Sequence, residues 1–293
     1  MSHSSGPPSG RFPPSQRRHE ERATARPEQG EQGGAPSEAV GRPAPAGLRP
    51  PRPPEPDRIC GRAAVHALFA RRPGDILRLF YMPELRGEAG AICGRLAQLR
   101  RPYREVGAEE LARIAGTPHH GGIVAVAAAR RVPTLPVPLP PPLLRAPVLP
   151  VLDGVGNPHN LGAIARSAAF FGCIGLVVSD DPRSAGLSEA AFRTAEGGLE
   201  ALSLYGTTDL PAALWQMSKQ VLTVAAVATD GVPPEALPRD RPIALVLGNE
   251  ERGLGQATAG ACAARVTLPG SGRVQSLNVS VAAAVLIHAL SSR

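Results

Sequence analysis

The chain has 293 residues, 43% hydrophobic and 19% charged, which is enough for one or two domains with a buried core. Its formal net charge is +7, and only 3% of its residues are aromatic, which weighs against a surface that stacks single-stranded bases. No apolar run reaches the roughly 18 residues of a membrane span, and the polar N-terminus lacks the apolar segment of a secretory signal. We therefore expect a cytoplasmic protein with no membrane partner.

The first 56 residues are rich in proline, glycine and arginine, and Phe12 is their only aromatic residue. Such a segment cannot bury enough apolar surface to offset the entropy lost on ordering it. We predict a disordered tail over residues 1–56 and a folded part that begins near Asp57.

Residues 57–130 have the pattern of a small α/β domain. They carry 12 arginines against seven acidic residues, whereas residues 148–293 hold slightly more acidic than basic groups. The first domain is therefore expected to meet a polyanion, although ordinary surface charge explains the same balance. The predicted elements are helices over 59–70, 89–99 and 108–114 and strands over 76–81 and 123–127.

Two features of the chain argue against a metal site. His119 and His120 are adjacent, so they would point in different directions on any regular element, and a turn that aims one of them outwards fits better. The four cysteines lack the short spacing of a zinc knuckle or a redox CxxC pair. We expect free thiols and no bound metal.

Residues 131–147 contain seven prolines and are predicted to form an extended, semi-rigid linker. The rest of the chain, residues 148–293, alternates strands and helices. Its strands are continuous apolar runs, which indicates a mainly parallel sheet covered on both faces. The predicted strands are 147–153, 174–179, 221–228, 242–247 and 264–268, and the predicted helices are 160–171, 187–197, 208–217, 254–263 and 277–291.

Sheets of this kind bind ligands beyond the carboxyl ends of their strands, so the loops that follow strands are the candidate site. Three stretches there are rich in glycine and uncharged polar groups: 153–166, 247–254 and 268–280. Gly154 and Gly156 lack the third glycine of a dinucleotide fingerprint, which disfavours a nicotinamide oxidoreductase. The chain also has neither a phosphate-binding GxxxxGK[ST] loop nor the GxSxG elbow of a serine hydrolase.

Taken singly, the polar residues of these stretches have simple structural readings. Asn160 could cap the helix that follows it, and Arg166 could be a surface arginine. Glu250, near a helix start, could act only on the helix dipole. Ser276 and Asn278 are also natural residues at a helix start.

Taken together, in this order and spacing, the three stretches resemble the SpoU (TrmH-type) branch of the SPOUT RNA methyltransferases. Residues 57–130 are similar to the substrate-binding domain of that family, with His119-His120-Gly121-Gly122 at its last turn. The motifs stand here as Asn160-Leu-Gly162-Ala-Ile-Ala-Arg166, Gly248-Asn-Glu250-Glu-Arg-Gly253-Leu254 and Ser276-Leu-Asn278-Val-Ser280-Val-Ala282.

The resemblance implies an α/β fold with a mainly parallel sheet and a C-terminal trefoil knot, a rare exception to unknotted chains. It also implies a homodimer that transfers a methyl group from S-adenosylmethionine to a ribose 2′-hydroxyl of RNA, with rRNA favoured slightly over tRNA. A non-catalytic RNA-binding or ribosome-assembly protein with the same fold is the alternative. The implied cofactor-binding residues are Gly248, Leu268 and Leu277, and the implied catalytic residues are Asn160, Arg166, Glu250, Ser276 and Asn278.

Overall fold

The structure is a computed structural model that describes residues 55–292. The expected disordered tail, residues 1–56, therefore lies outside the described residues except for Glu55 and Pro56. Within them, residues 57–130 form what we call the small lobe and residues 148–292 the large lobe. Residues 131–147 are called the connecting segment.

The small lobe is a four-stranded sheet in the order β1-β4-β2-β3, packed against helices. β4 runs antiparallel to β1 and β2, and β3 runs parallel to β2. Ile59, Leu68 and Leu79 are fully buried in its core. Its elements are β1 (Asp57–Cys60), α1 (Arg62–Arg71), β2 (Ile76–Tyr81), α2 (Arg86–Gln98), β3 (Tyr103–Glu105), α3 (Ala108–Ala115) and β4 (Ile123–Ala127).

One prediction for the small lobe was wrong, and one strand was missed. Ile59 and Cys60 belong to a strand, not to the first helix, because they pair with Ala125 and Val124 of β4. The helix starts only after Gly61, whose φ of 95° turns the chain out of the strand. β3 was not predicted, since an edge strand of three residues leaves too short an alternation to detect.

The connecting segment is packed on the large lobe, so the prediction of an extended spacer was only partly right. The backbone N–H of Leu135 donates to the carbonyl of Gly206 at 2.7 Å, and that of Leu139 donates to the side chain of Gln220 at 2.7 Å. Leu135, Leu139 and Leu143 are buried. The leucines between the prolines thus supply apolar contacts that a solvated linker would not make.

The large lobe is a six-stranded sheet in the order β10-β8-β9-β5-β6-β7, and every neighbouring pair is parallel. This confirms the α/β class and the mainly parallel sheet. Its elements are β5 (Val148–Asp153), α4 (Pro158–Phe170), β6 (Gly175–Ser179), α5 (Glu189–Ala195), α6 (Gly198–Ala201), β7 (Ser203–Thr207), α7 (Leu210–Met217), β8 (Leu222–Ala226), β9 (Ile243–Gly248), α8 (Gln256–Gly260), β10 (Ala264–Val266) and α9 (Val279–Ser291).

One helix prediction and one missing strand need correction in the large lobe. The helix expected over 187–197 ends at Ala195, because Glu196 and Gly197 both adopt left-handed backbone angles before α6 begins. The edge strand β7 follows at once and was not predicted. None of the helices between residues 55 and 292 has both the length and the hydropathy needed to cross a membrane.

Helices α4, α5 and α9 position the candidate site. A Cβ added to Gly162 of α4 would lie 2.5 Å from the carbonyl oxygen of Ala191 and 2.8 Å from Cβ of Thr194, both in α5. Only glycine permits this approach, so the glycine of the first motif sets how closely the two helices pack. Phe171, the residue that follows α4, contacts His288 of α9 with ring centroids 5.2 Å apart.

Candidate active site

The loops that follow β5 and β9 meet at the carboxyl edge of the large sheet, because these strands are neighbours in register. The side-chain amide of Asn249 donates to the carbonyl of Gly154 at 2.8 Å. The carboxylate of Asp153 accepts from the backbone N–H of Gly255 at 3.4 Å. The first two motif stretches are therefore joined directly.

A chain of hydrogen bonds connects all three motif stretches. Asn160 donates from Nδ2 to Oε1 of Glu250 at 2.7 Å, and its Oδ1 accepts from Nδ2 of Asn278 at 3.2 Å. Oδ1 of Asn278 in turn accepts from the hydroxyl of Ser280 at 2.6 Å. Every amide in the chain donates in the same direction and the chain ends on a carboxylate, an arrangement that strengthens each bond.

Glu250 is held in its ionised form. Its carboxylate also accepts from the backbone N–H groups of Gly156 at 3.1 Å and Asn157 at 3.2 Å. Partial burial raises the pKa of Glu250, but the hydrogen bonds from Asn160 and from backbone amides outweigh it, so the pKa lies below its ordinary value. Glu250 is thus an anion that fixes the start of α4, not a proton donor at neutral pH.

Asn160 does not cap α4. The helix begins two residues earlier, at Pro158, and its cap is Asn157, whose Oδ1 accepts from the backbone N–H of His159 at 2.8 Å. Asn160 therefore lies in the first turn and is 8% exposed, with both ends of its amide bonded to the other two motifs. An Asn-Pro pair is the typical start of a helix, so the sequence did carry this signal.

The expected cofactor residues lie around the loops that follow β9 and β10. Leu268 is half-buried and Leu277 is 49% exposed. Within the described chain, residues 268–277 make no backbone–backbone hydrogen bond, and the N–H of Arg273 donates to Oγ of Ser271 at 3.4 Å. Most of the N–H and C=O groups of this stretch are therefore available to a ligand. An adenine edge and an amino-acid group need such donors and acceptors, so these loops fit S-adenosylmethionine.

Gly248 is required by the geometry of its own loop. A Cβ there would lie 2.5 Å from the backbone nitrogen of Leu254, inside a turn closed by hydrogen bonds between Asn249 and Gly253. The glycine is required by the return of this chain's own backbone. A larger residue would distort the loop itself, whether or not a ligand is bound.

Two cavities lie near the site and the contact between the lobes. One of about 370 Å³ lies beyond the carboxyl ends of β6 and β7 and is lined by Leu161, Ser179 and Thr207, among others. The other, of about 620 Å³, lies between the lobes. Neither of these two cavities is lined by Gly248, Leu268 or Leu277.

Arg166 and Ser276 are not part of the hydrogen-bonded chain. Arg166 pairs with Glu196 through Nη2 and Oε2 at 2.8 Å, and its side chain is 56% exposed. Ser276 is exposed in the loop before α9. Of the five residues expected to be catalytic, the structure brings Asn160, Glu250 and Asn278 together and leaves the other two at the surface.

Sequence analysis missed Asn249, which shapes the second loop. Besides its bond to Gly154, its Oδ1 accepts from the backbone N–H groups of Glu251 and Arg252 at 3.0 and 3.2 Å. The signal was the Gly-Asn pair directly after a buried strand, since asparagine favours such turns.

Between residues 55 and 292 no group of three or more histidines, cysteines and acidic residues is placed to hold a metal ion. Burial raises the pKa of the Cys60 and Cys173 thiols to about 12, so both are protonated and inert at neutral pH.

Each lobe matches a known protein family. Residues 147–288 match the SpoU rRNA Methylase family, and residues 58–133 match the family described as RNA 2′-O ribose methyltransferase substrate binding. The two matches together span most of the described chain.

Three relatives illustrate the similarity. The chain is 33% identical to the 23S rRNA (guanosine-2′-O-)-methyltransferase RlmB of Acinetobacter baylyi over 80% of this chain and 96% of the relative. It is 37% identical to RlmB of Nitrosomonas europaea over 61% and 69% of the two chains. It is 34% identical to the uncharacterized tRNA/rRNA methyltransferase YfiF of Escherichia coli O157:H7 over 80% and 67%.

Two solved structures share the fold. The AdoMet-bound rRNA methyltransferase from Sinorhizobium meliloti superposes with a TM-score of 0.66 at 20% identity, over 80% of this chain and 87% of the other. The SpoU methyltransferase AviRb from Streptomyces viridochromogenes, also in complex with AdoMet, gives 0.63 at 20% identity over 81% and 89%.

Proposed function

This chain belongs to the SpoU rRNA methylase family, and we propose that it transfers a methyl group from S-adenosylmethionine to a ribose 2′-hydroxyl of RNA. The observation that carries the proposal is the hydrogen-bonded chain through Asn160, Glu250 and Asn278, which ties the three family motifs into one surface. We further propose 23S rRNA as the substrate, because relatives that are more than 30% identical are named as 23S rRNA methyltransferases.

S-adenosylmethionine, when bound, supplies an electrophilic methyl group, so the protein need only align the reactants and help remove the hydroxyl proton. We assign the alignment to the three loops. Asn160 and Asn278 hold the loop before α9 against the start of α4. The free backbone groups around Leu268 and Leu277 bind the cofactor.

Arg166 is proposed to contact the RNA. A guanidinium has a pKa above about 12 and is a poor base, but its planar fork binds a phosphate and an adjacent hydroxyl well. The exposed side chain of Arg166 suits this role. Ser276, exposed in the loop before α9, is assigned to the same RNA-facing surface.

The small lobe is proposed to supply RNA affinity. It carries a surplus of arginines, and it matches a family named for substrate binding. The large lobe, taken as residues 148–293, then carries the methyl transfer, and the whole enzyme is expected to be cytoplasmic.

We also propose that the protein is a homodimer with a knotted C-terminus. Leu277, Val281 and Val285 are exposed at intervals of four residues, along or just before α9. Phe170 is 82% exposed and packs on Phe171, which contacts His288 of α9. A second copy would cover this apolar stripe. The knot is supported by the contact of Asn278 with Asn160, which brings the chain back across the loops after β5 and β9.

Methyl transfer to defined RNAs tests the function. The full chain is incubated with S-adenosylmethionine labelled on its methyl group and with one of three substrates. These are an unmodified 23S rRNA transcript, an unmodified tRNA transcript, and a DNA copy of the rRNA. We expect label in the 23S transcript and none in DNA, which lacks the 2′-hydroxyl. After alkaline hydrolysis of the RNA, the label should be recovered in a dinucleotide that resists cleavage. Tight binding of the transcript without transfer would favour the non-catalytic RNA-binding alternative.

A further inference from the structure

The segment from Glu196 to Glu200 lies between the two lobes and touches both. A Cβ on Gly197 would lie 2.7 Å from Cβ of Ala67 in α1 of the small lobe. A Cβ on Gly198 would lie 2.7 Å from the carbonyl oxygen of Ala165 and 2.8 Å from Cα of Arg166, both in α4. Gly197 therefore lets this backbone approach α1, and Gly198 lets it approach the stretch of α4 that carries Arg166.

The far end of the segment is anchored to the small lobe. Glu200 accepts two hydrogen bonds of 2.9 Å from Arg72 and one of 2.6 Å from Arg130, and its side chain is 1% exposed. A buried carboxylate held by two guanidinium groups does not move freely. The position of the segment is thus set by the docking of the small lobe.

At the N-terminal end of the segment, the side chain of Glu196 lies against that of Arg166. Glu196 has a φ of 43°, an uncommon left-handed conformation for a residue other than glycine, and Gly197 follows at 92°. The carboxylate of Glu196 lies 2.8 Å from Nη2 of Arg166, and the two side chains are 51% and 56% exposed. An ion pair so exposed is weak, so another oxyanion can replace the carboxylate of Glu196 on the guanidinium of Arg166.

We propose that the carboxylate of Glu196 occupies the guanidinium of Arg166 in the free protein, and that an RNA phosphate displaces this carboxylate when RNA binds. The proposal rests on the proposed function, since it takes RNA as the ligand. Carboxylate and phosphate both accept the planar fork of arginine, so one can follow the other on the same group. RNA binding must then break the Arg166–Glu196 pair.

A double-mutant cycle on RNA affinity tests the exchange. The dissociation constant of the full chain for an unmodified 23S rRNA transcript is measured at several salt concentrations for Glu196→Gln, Arg166→Ala and the combined variant. Glu189→Gln is the matched control, because it removes the same charge from α5, where Glu189 pairs with Arg193. Glu196→Asp, which keeps the carboxylate, should restore the affinity of the unaltered chain.

We expect Glu196→Gln to tighten RNA binding about threefold to fivefold, beyond any effect of Glu189→Gln, because the phosphate no longer competes with a carboxylate. In the Arg166→Ala background the same substitution should have no effect. A residue with only a structural role would weaken binding when changed.

Weaker binding by Glu196→Gln, or a gain that persists without Arg166, would overturn the proposal. So would the absence of any affinity of the unaltered chain for the transcript. Because these measurements read binding, a chain that binds RNA but transfers no methyl group would refute the proposed function and still decide the exchange.

Discussion

Arg72 of the small lobe and Glu200 of the large lobe, 128 residues apart in the sequence, form a two-pronged ion pair with both hydrogen bonds at 2.9 Å. Arg130 adds a bond of 2.6 Å to the same carboxylate, and its backbone N–H donates to Asp57 at 2.7 Å. Burial lowers the pKa of Arg130 in spite of these acids. The lobes are therefore joined by one buried cluster of charges.

Glu200→Gln should lower the free energy of unfolding by about 3 kcal/mol, because it leaves two buried guanidinium groups without their anion. Urea denaturation of the full chain measures this change. Glu88→Gln, which breaks the exposed pair with Arg62, is the control and should cost less than about 1 kcal/mol. Equal losses in the two variants would show that the cluster does not stabilise the structure.

This cluster could not be predicted from the sequence. Glu200 lies among small and apolar residues just beyond the predicted helix over 187–197, and nothing local indicates that its partners come from the other lobe. The partners were predicted only as part of a basic domain. Pairing across 128 residues depends on how two separate sheets dock, and a local pattern contains no such information.

Gly162→Ala should destabilise the protein by about 1–3 kcal/mol, because its methyl group would lie 2.5 Å from the carbonyl oxygen of Ala191 and force α4 away from α5. Thermal unfolding measures the loss. Gly90→Ala is the matched control, since nothing lies within 4 Å of its added Cβ in α2. That change should stabilise the chain by roughly 0.5–1 kcal/mol. A neutral Gly162→Ala variant would contradict the packing argument.

The ionised state of Glu250 predicts a dependence of stability on acidity. Its pKa in the folded chain lies below the ordinary value of 4.5, so its contribution is present above that pH and is lost as pH falls through the lower, folded value. The difference in unfolding free energy between the unaltered chain and Glu250→Gln should therefore shrink from pH 6 to pH 3. Glu251→Gln, at the exposed neighbour, should show a smaller change. A difference that is constant with pH would mean that Glu250 is not held as an anion.

Arg166→Ala should slow single-turnover methyl transfer by about 100-fold while the affinity for S-adenosylmethionine stays close to that of the unaltered chain, since Arg166 is assigned to the RNA. Arg166→Lys should also be slow, because lysine keeps the charge but loses the planar fork. Arg95→Ala, on an exposed face of α2, is the control. A rate of methyl transfer close to that of the unaltered chain in Arg166→Ala would show that Arg166 is a surface residue with no part in the reaction.

The groove of about 620 Å³ between the lobes is lined by four arginines, of which Arg72 and Arg130 are bound to Glu200. Among the described residues, Arg71 and Arg131 have no acidic partner and are exposed. Replacing both by alanine should weaken RNA binding and reduce the slope of log K against log salt by up to about 2, if each contacts a phosphate. Replacing Arg62, which is paired with Glu88, should change the slope less. An unchanged slope in the double variant would exclude the groove from the RNA interface.

The candidate site was predictable in its parts but not in its arrangement. The motifs placed Asn160, Glu250 and Asn278 in stretches that follow strands, and the structure joins the three side chains by hydrogen bonds. Arg166, the other polar residue of the first motif, lies outside this chain of hydrogen bonds and pairs with Glu196. Its partner Glu196 could not be foreseen, because the left-handed turn that presents it follows from the contact between lobes.

The connecting segment also has a protective consequence for the large sheet. β7 is an edge strand, and Gly206 in it exchanges backbone hydrogen bonds with the segment, at 2.8 Å to Pro133 and 2.7 Å from Leu135. Exposed sheet edges invite pairing with other chains, and proline cannot donate a backbone hydrogen bond to a further strand. The proline-rich segment therefore shields this edge from intermolecular strand addition. A glycine–serine replacement of equal length would preserve the reach between the lobes but uncover a site for aggregation.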